Sequence, residues 1–300
     1  MASSRPLIRI PEMRPATGQA PVEAGCDALL DFMRRQQRLM VLSGAGMSTG
    51  SGIPAYRDAD GQWLRRDPIL FQDFMASATM RRRYWARSYF GWPQMLKADP
   101  NAAHHALRRL EDLGRLSLLV TQNVDGLHAR AGSCALVELH GRLARVSCLT
   151  CKTQFDRDEI QQELQALNPD WSPEVLGYNP DGDAELDASA YPGFKVAGCQ
   201  RCGGPLKPDV VFFGEPVPPE RARSVSEALE LTDALLVVGS SLVVMSGFRI
   251  VRQAAAMGLP IVAINAGRTR ADALLDFKVS GDCGVVLEQV MAKLGDELAA

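Results

Sequence analysis

LMVLSGAGMSTGSGIP, residues 39–54, decides how this chain is read. An apolar strand, Leu39 to Leu42, runs into a loop holding four glycines and four hydroxyl residues, and stops at Pro54. Glycine tolerates positive φ and lets a ligand approach the backbone, and the small residues that follow can open a short helix. A strand, a glycine turn and a helix N-terminus together form a phosphate cradle, because unpaired N–H groups and the helix dipole face the anion. Gly44 and Gly46 fit the G-x-G of dinucleotide-binding turns. The next glycine, Gly50, falls one position later than that fingerprint requires. By itself the loop is equally a plain turn, so the rest of the chain has to decide.

The chain has 300 residues, which suits one α/β core carrying an inserted module. With 46% hydrophobic and 23% charged residues it has the composition of a globular protein with a large core. A formal net charge of −2 gives no reason to expect nucleic-acid affinity, and Arg81-Arg82-Arg83 reads as a solvated helix face. No window approaches eighteen consecutive apolar residues, so no membrane partner is expected. The N-terminal stretch lacks the apolar region of a secretory signal. Arg5, Arg9 and Arg14 with a single acid faintly resemble a transit peptide, but Pro6, Pro11, Pro15 and Pro21 break any helix, so 1–25 reads as a loose arm. Seven cysteines, an odd number, point to a reducing compartment.

Periodicity places a helix over 26–38, an irregular polar loop after Pro54, and helices over 68–97. Asn101 precedes a helix over 102–113 that Gly114 ends. Strands follow at Leu116 to Val120, Leu136 to Leu139, Val210 to Phe213, Ala234 to Val238 and Pro260 to Ile264, with helices at 219–231 and 246–257. Alternating strands and helices imply an α/β fold with a Rossmann-like parallel sheet. The nucleotide-binding domain would comprise 26–144 and 205–300, with a helical and loop segment over about 55–100 covering the cofactor. Ligands of such sheets bind outside the C-terminal strand ends. There the sequence places Gln122, Asn123 and Asp125 after one strand and His140-Gly141 after another. Histidine titrates near neutrality and so can take up and return a proton. His104, His105 and His128 compete with His140 but are expected on helical or surface segments without partner strands.

Between 145 and 204 apolar strands vanish and Asp, Pro and Gly become frequent, which marks the insert. Two C-x-x-C pairs flank it: Cys148 with Cys151, and Cys199 with Cys202. Two such turns close a tetrahedral zinc site, although the 47 residues between them exceed the usual spacing of about 15 to 20 in a compact ribbon. A redox pair or four buried thiols are the other readings. With four sulfur ligands the metal has no open position and would hold structure only. Cys26, Cys134 and Cys283 are read from the sequence as core or incidental thiols.

GAGMSTGSGIPAYR (44–57), TQNVDGLH (121–128), His140-Gly141, the two C-x-x-C pairs, KPDVVFFGE (207–215), VVGSSL (237–242) and Ile264-Asn265 occur in the order of the sirtuins. The chain resembles that family from about residue 26 to 290. RRRYWARSYFGWPQ (81–94), LKPDVVFFGE and the NPDGD of the insert are most similar to the sirtuin-four-like branch of class II. The resemblance implies an NAD-dependent protein-lysine deacylase that passes the acyl group to ADP-ribose and releases nicotinamide, with one structural zinc. It implies NAD contacts from Gly44, Ala45, Gly46, Ser48, Ile53, Pro54, Tyr56, Arg57 and Trp63. It adds Gln122, Asn123 and Asp125 at the nicotinamide end, Gly239, Ser240 and Ser241 at the adenine ribose, and Asn265, Ala266, Gly267 and Cys283 at the adenosine. His140 would be the general base, with Asn123 and Asp125 completing the catalytic set. Ala55 departs from the family, where many members carry an acid after Ile-Pro.

Tyr84 and Arg87 resemble the Y-x-x-R of deacylases that take acidic acyl groups; an arginine fork suits a carboxylate. The alternative places Tyr84 in the core and Arg87 on the surface. Val211, Phe212, Phe213 and Gly214 would pair with an extended acyl-lysine peptide. Mono-ADP-ribosyl transfer to protein, or a zinc protein that senses NAD without turnover, are the competing functions. A dehydrogenase is opposed by the misplaced glycine and the cysteine insert. The expected location is the bacterial cytoplasm, or the mitochondrial matrix in a eukaryote.

Overall fold

A computed structural model describes residues 20–299 apart from 59–61, 63 and 65–67; Trp63 and Arg5, Arg9 and Arg14 lie outside the described residues. Helix α1 (Cys26–Arg35) leads into β1 (Leu39–Ser43), whose five residues are all buried. The expected helix over 26–38 therefore ends three residues early, where the chain turns into the strand. Next come α2 (Phe71–Ala76), α3 (Ala78–Lys97) and α4 (Ala102–Asp112), then β2 (Leu116–Thr121), the single turn α5 (Leu127–Arg130) and β3 (Leu136–Glu138). Asn101 caps α4 reciprocally: its side chain accepts from the His104 N–H, and His104 Nδ1 accepts from the Asn101 N–H.

The insert carries more regular structure than its composition suggests. It is entered along β4 (Gly141–Cys148), contains β5 (Gln154–Asp156), α6 (Arg157–Leu167), β6 (Val175–Tyr178) and β7 (Ala184–Leu186), and is left along β8 (Leu206–Val210). These strands are short, and β4 is buried only at intervals, so none produces an apolar run. The chain returns through α7 (Pro219–Glu230), β9 (Ala234–Val238), α8 (Met245–Ala256), β10 (Ile261–Ile264), β11 (Phe277–Val279) and α9 (Cys283–Ala299).

The main sheet runs β11-β10-β9-β1-β2-β3 with every pairing parallel. Alternation along the central strands fills both faces. Leu39, Val41, Leu236, Val238, Val262 and Ile264 pack towards α1, α4 and α9. Met40, Leu42, Leu235, Val237, Ile261 and Ala263 pack towards α7 and α8. Each fully buried aliphatic side chain contributes about 1.5–3 kcal/mol, which explains why these runs are continuously apolar. From β1 the chain passes to β2 on one side and later returns to β9 on the other. This is the reversal point where a parallel sheet opens a crevice at its C-terminal edge.

A smaller antiparallel sheet, β5-β4-β8, stands beside that edge and belongs with the cysteine module. The strand expected at Val210 to Phe213 lies instead at Leu206–Val210. After Val210 the backbone turns, with Gly214 at φ 85° and the Phe212 N–H held by the Glu215 carboxylate at 2.9 Å.

Candidate active site

The loop after β1 is two 3₁₀ turns, Ala45–Met47 and Thr49–Ser51, rather than the start of an α-helix. Its glycines are required by another stretch of chain. The Gly44 N–H donates to the Val238 carbonyl at 3.0 Å and the Gly46 N–H to the Gly239 carbonyl at 2.8 Å. A Cβ on Gly44 would lie 2.7 Å from Ser240 Cβ. Gly239 itself has φ 60°, and a Cβ there would strike the Met47 amide. Besides leaving room for a ligand, the glycines seat the loop after β1 on the loop after β9.

The polar end of β2 locks onto this pair of loops. Gln122 Nε2 donates to Ser240 Oγ at 2.9 Å, and Asn123 Nδ2 donates to the Gly44 carbonyl and to Ser48 Oγ, both at 3.0 Å. Ser48 in turn donates to Asp125 at 2.7 Å. Burial raises the Asp125 pKa, opposed by the Leu127 N–H and the Ser48 hydroxyl that favour the carboxylate.

His140 follows β3, and its backbone is fixed from the smaller sheet: its carbonyl accepts from the Val211 N–H at 2.8 Å. The residue after it must be glycine, because Gly141 has φ 81° and a Cβ would strike the Asp209 carbonyl. His140 Nδ1 lies 2.9 Å from the Gln122 carbonyl, which can only accept, so Nδ1 carries the proton. Nε2 is therefore an acceptor, and it takes the Ser246 hydroxyl at 2.7 Å. Burial pushes the His140 pKa down to about 4, against the pull of the Gln122 carbonyl, so the imidazole is neutral at physiological pH. Ser246, in the first turn of α8, was not singled out from the sequence; a lone serine gives no signal of a partner 106 residues away.

One cavity of about 760 Å³ collects the site. Of the residues expected to touch nucleotide, all but Pro54 and the undescribed Trp63 line it, as do His140, Tyr84 and Val211 to Gly214. Ala55 lines it too, and so does Cys283, whose thiol burial pushes up to about 12. Arg87 does not line it. Neither expectation for Arg87 matches its surroundings, since it is neither open to the cavity nor exposed. It is 3% exposed, with NH2 2.9 Å from Asp183 and Nε donating to the Ala184 carbonyl at 3.1 Å. Asp181 and Asp183, unremarked in the sequence except as part of NPDGD, line the cavity beside Tyr84. The backbone of Val211 to Gly214, expected to pair with a peptide, is largely engaged: the Phe213 carbonyl accepts from Phe71 N–H at 3.0 Å and that of Gly214 from Gln72 at 3.2 Å.

The competing histidines lie on helices, as expected, His104 and His105 in α4 and His128 in α5, with His105 exposed. His104 and His128 are buried there, with ring centroids 4.7 Å apart, and neither lines the cavity. His128 Nε2 meets Ser43 Oγ at 2.9 Å, bracing the end of β1 from beneath. Burial sends His104 to about 4 and His128 to about 3. Unfolding returns both towards about 6.5, so the unfolded chain binds more protons below that pH. Stability is then full above about pH 6.5 and falls as the pH drops towards 4, by about 1.4 kcal/mol per pH unit for each histidine. Urea unfolding between pH 7.5 and 5 checks this: the midpoint should hold down to about pH 6.5 and then fall, and His104→Gln should remove about one proton from the slope below that pH.

At the far end of β4 the four cysteines converge. Their sulfurs lie within 4.8 Å of one another and are free thiols, with Cys148–Cys202 at 3.5 Å and Cys151–Cys199 at 3.6 Å. Four thiolates around zinc with bonds near 2.3 Å would be about 3.8 Å apart, so the donor set fits the metal. Each C-x-x-C is followed by a residue of positive φ, Lys152 at 62° and Gly203 at 72°, which folds each pair into a knuckle. The Thr150 and Cys151 N–H groups also point to Cys148 Sγ at 3.4 Å, as suits a thiolate.

Fold and site together define a nucleotide-binding α/β protein with a four-cysteine zinc module packed beside its active-site edge. The Sir2 family profile matches residues 44–246, and the chain belongs to that family. It is 55% identical over 260 residues to an NAD-dependent protein deacetylase of Xanthomonas campestris pv. campestris strain 8004, covering 87% of this chain and 89% of that one. It is 50% identical over 259 residues to the NAD-dependent protein lipoamidase sirtuin-4, mitochondrial, of Bos taurus, covering 85% and 82%. A solved Sir2 homolog–NAD complex superposes with a TM-score of 0.71 at 28% identity, covering 94% of this chain and 98% of the other. Among the described residues, no helix is long and apolar enough to cross a membrane.

Proposed function

We infer that this Sir2-family chain is an NAD-dependent protein-lysine deacylase in which His140 Nε2 is the general base. The observation that carries the role is the fixed tautomer of His140: Nδ1 is committed to the Gln122 carbonyl, and a neutral Nε2 is left as acceptor in the cavity wall. NAD supplies an activated glycosidic bond, whose cleavage lets the acyl oxygen join the ribose as nicotinamide leaves. The protein's part is to position and to move a proton. A ribose hydroxyl in the place of the Ser246 hydroxyl would give its proton to Nε2, which can return it later at neutral pH.

Asn123, Ser48 and Asp125 form the hydrogen-bonded wall that would orient the nicotinamide end. Ser240, Ser241 and the 265–267 segment would hold the adenosine end, at the other side of the sheet's crevice. Because Gly44 and Gly46 spend their N–H groups on the neighbouring loop, the amides of Ala45 and Ser241 are the candidates for phosphate. The acyl-lysine would enter past Val211 to Gly214. The four cysteines would hold one zinc with no role in the chemistry. The thiol-rich zinc site and the bacterial relatives support a cytoplasmic enzyme.

The test measures nicotinamide release from NAD with and without an acyl-lysine peptide. Release coupled to acyl loss is expected. Adenylate-labelled NAD that marks a protein target instead would establish ADP-ribosyl transfer, and NAD binding with no release would establish a sensor.

A further inference from the structure

Both ring nitrogens of His140 are engaged by the protein itself. The Gln122 carbonyl, at the end of β2, holds Nδ1–H, and the Ser246 hydroxyl, in the first turn of α8, donates to Nε2 at 2.7 Å. The sequence around Ser246 builds this contact in. Its neighbour Gly247 is buried, and a Cβ there would lie 2.3 Å from Gln122 Oε1. Glycine at this position lets the Gln122 side chain lie against the helix, while its Nε2 reaches Ser240 Oγ at 2.9 Å and the Ser43 carbonyl at 3.2 Å. Gln122 thus joins the loops after β1 and β9 to α8, and brings Ser246 to the histidine that its own carbonyl holds.

Ser246 and His140 are both half-buried and both line the cavity. A neutral imidazole nitrogen accepts through a single lone pair, so Nε2 takes one donor at a time. On the deacylase reading, which this inference rests on, that donor is a hydroxyl of the reacting ribose when the base works. The Ser246 hydroxyl stands in the same place and is chemically alike, an alcohol O–H presented to the same nitrogen. An intramolecular hydrogen bond is favoured over one to water by a factor of about 3 to 10. A ribose hydroxyl that has to displace Ser246 is therefore held less tightly, by about that factor, than one that displaces only water.

We propose that Ser246 is a positioning residue that competes with the reacting ribose for His140 Nε2, and so sets how tightly the ribose half of the nucleotide is held. The bond from Ser246 keeps the ring turned to the cavity with Nε2 as acceptor, which is the orientation the base works in. The competition is confined to this end of the nucleotide. The adenosine end, towards Asn265 to Gly267 after β10, makes no use of Nε2. A product that carries the same ribose meets the same competitor, so Ser246 favours its departure as it opposes the binding of NAD.

The experiment measures the dissociation constants of ADP-ribose and ADP by titration calorimetry, for the wild type and for Ser246→Ala. ADP shares the adenosine and both phosphates but lacks the second ribose, so the ADP-to-ADP-ribose ratio isolates the ribose at His140. Ser246→Ala removes one hydroxyl and leaves the packed residues of α8, Gly247, Ile250 and Val251, in place. It should tighten ADP-ribose about three- to tenfold and change ADP by less than about twofold. In a His140→Phe background the same substitution should leave the ratio unchanged, because the competition acts only through Nε2. ADP-ribose binding that is unchanged or weaker in Ser246→Ala overturns the proposal. So does equal tightening of ADP, or the same tightening in the His140→Phe background, and each of these leaves the deacylase reading intact. A wild type that binds neither ADP-ribose nor NAD overturns the deacylase reading and this inference with it.

Discussion

His140→Phe lowers kcat/KM for an acyl-lysine peptide by about 10²–10⁴-fold, the usual worth of a positioned general base. The ring keeps its bulk between the Gln122 carbonyl and Ser246, so packing changes little, and the lost hydrogen bonds cost about 1 kcal/mol each. The loss belongs to kcat, because the base acts in the transition state and contributes little to holding the substrates. Steady-state kinetics with NAD titration check this. NAD binding should survive, and a loss under about tenfold would remove His140 from the role.

Cys148→Ser, or zinc removal by a chelator, has an effect of comparable size on both folding and activity. Binding of a structural zinc is worth on the order of 10 kcal/mol in small modules, and that binding energy is folding energy. The consequence reaches His140 through named elements. Cys148 ends β4, whose first residue is Gly141, and β4 pairs with β8, which delivers Val211 to the His140 carbonyl. Loosening the cysteine end should release the segment that holds the base, although the metal does no chemistry. Metal analysis should find about one zinc per chain. The variant should show faster proteolysis within 149–204 and lose activity in parallel. A metal-free chain with full activity would contradict this coupling.

What could be read in the sequence follows from range. The central strands β1, β9 and β10 are apolar on both faces, so each stands out alone, and β9 is placed to the residue. Asn101 announced α4 because a cap is a local device. Three-residue β11 and the short strands of the insert have no such pattern and cannot be told from loop by sequence. His140-Gly141 was visible as a pair, but the reason for the glycine, the Asp209 carbonyl across the smaller sheet, exists only in the fold. The same holds for Arg87. Its spacing from Tyr84 is local and readable, while the Asp183 that neutralises it lies 96 residues on. Charges in sequence can be counted, but their pairing is a property of packing. The glycines after β1 show a related limit: they were placed correctly, yet the neighbour they accommodate is the loop after β9.

On the function proposed above, this cavity spends NAD to move an acyl group from lysine to ADP-ribose. Mass spectrometry of a reaction with an acyl-lysine peptide tests it most directly. Free lysine peptide, nicotinamide and acyl-ADP-ribose are expected in equal amounts, and none of them when NAD is left out. Acyl loss as free acid without NAD, or nicotinamide release with the acyl group still on lysine, would contradict it.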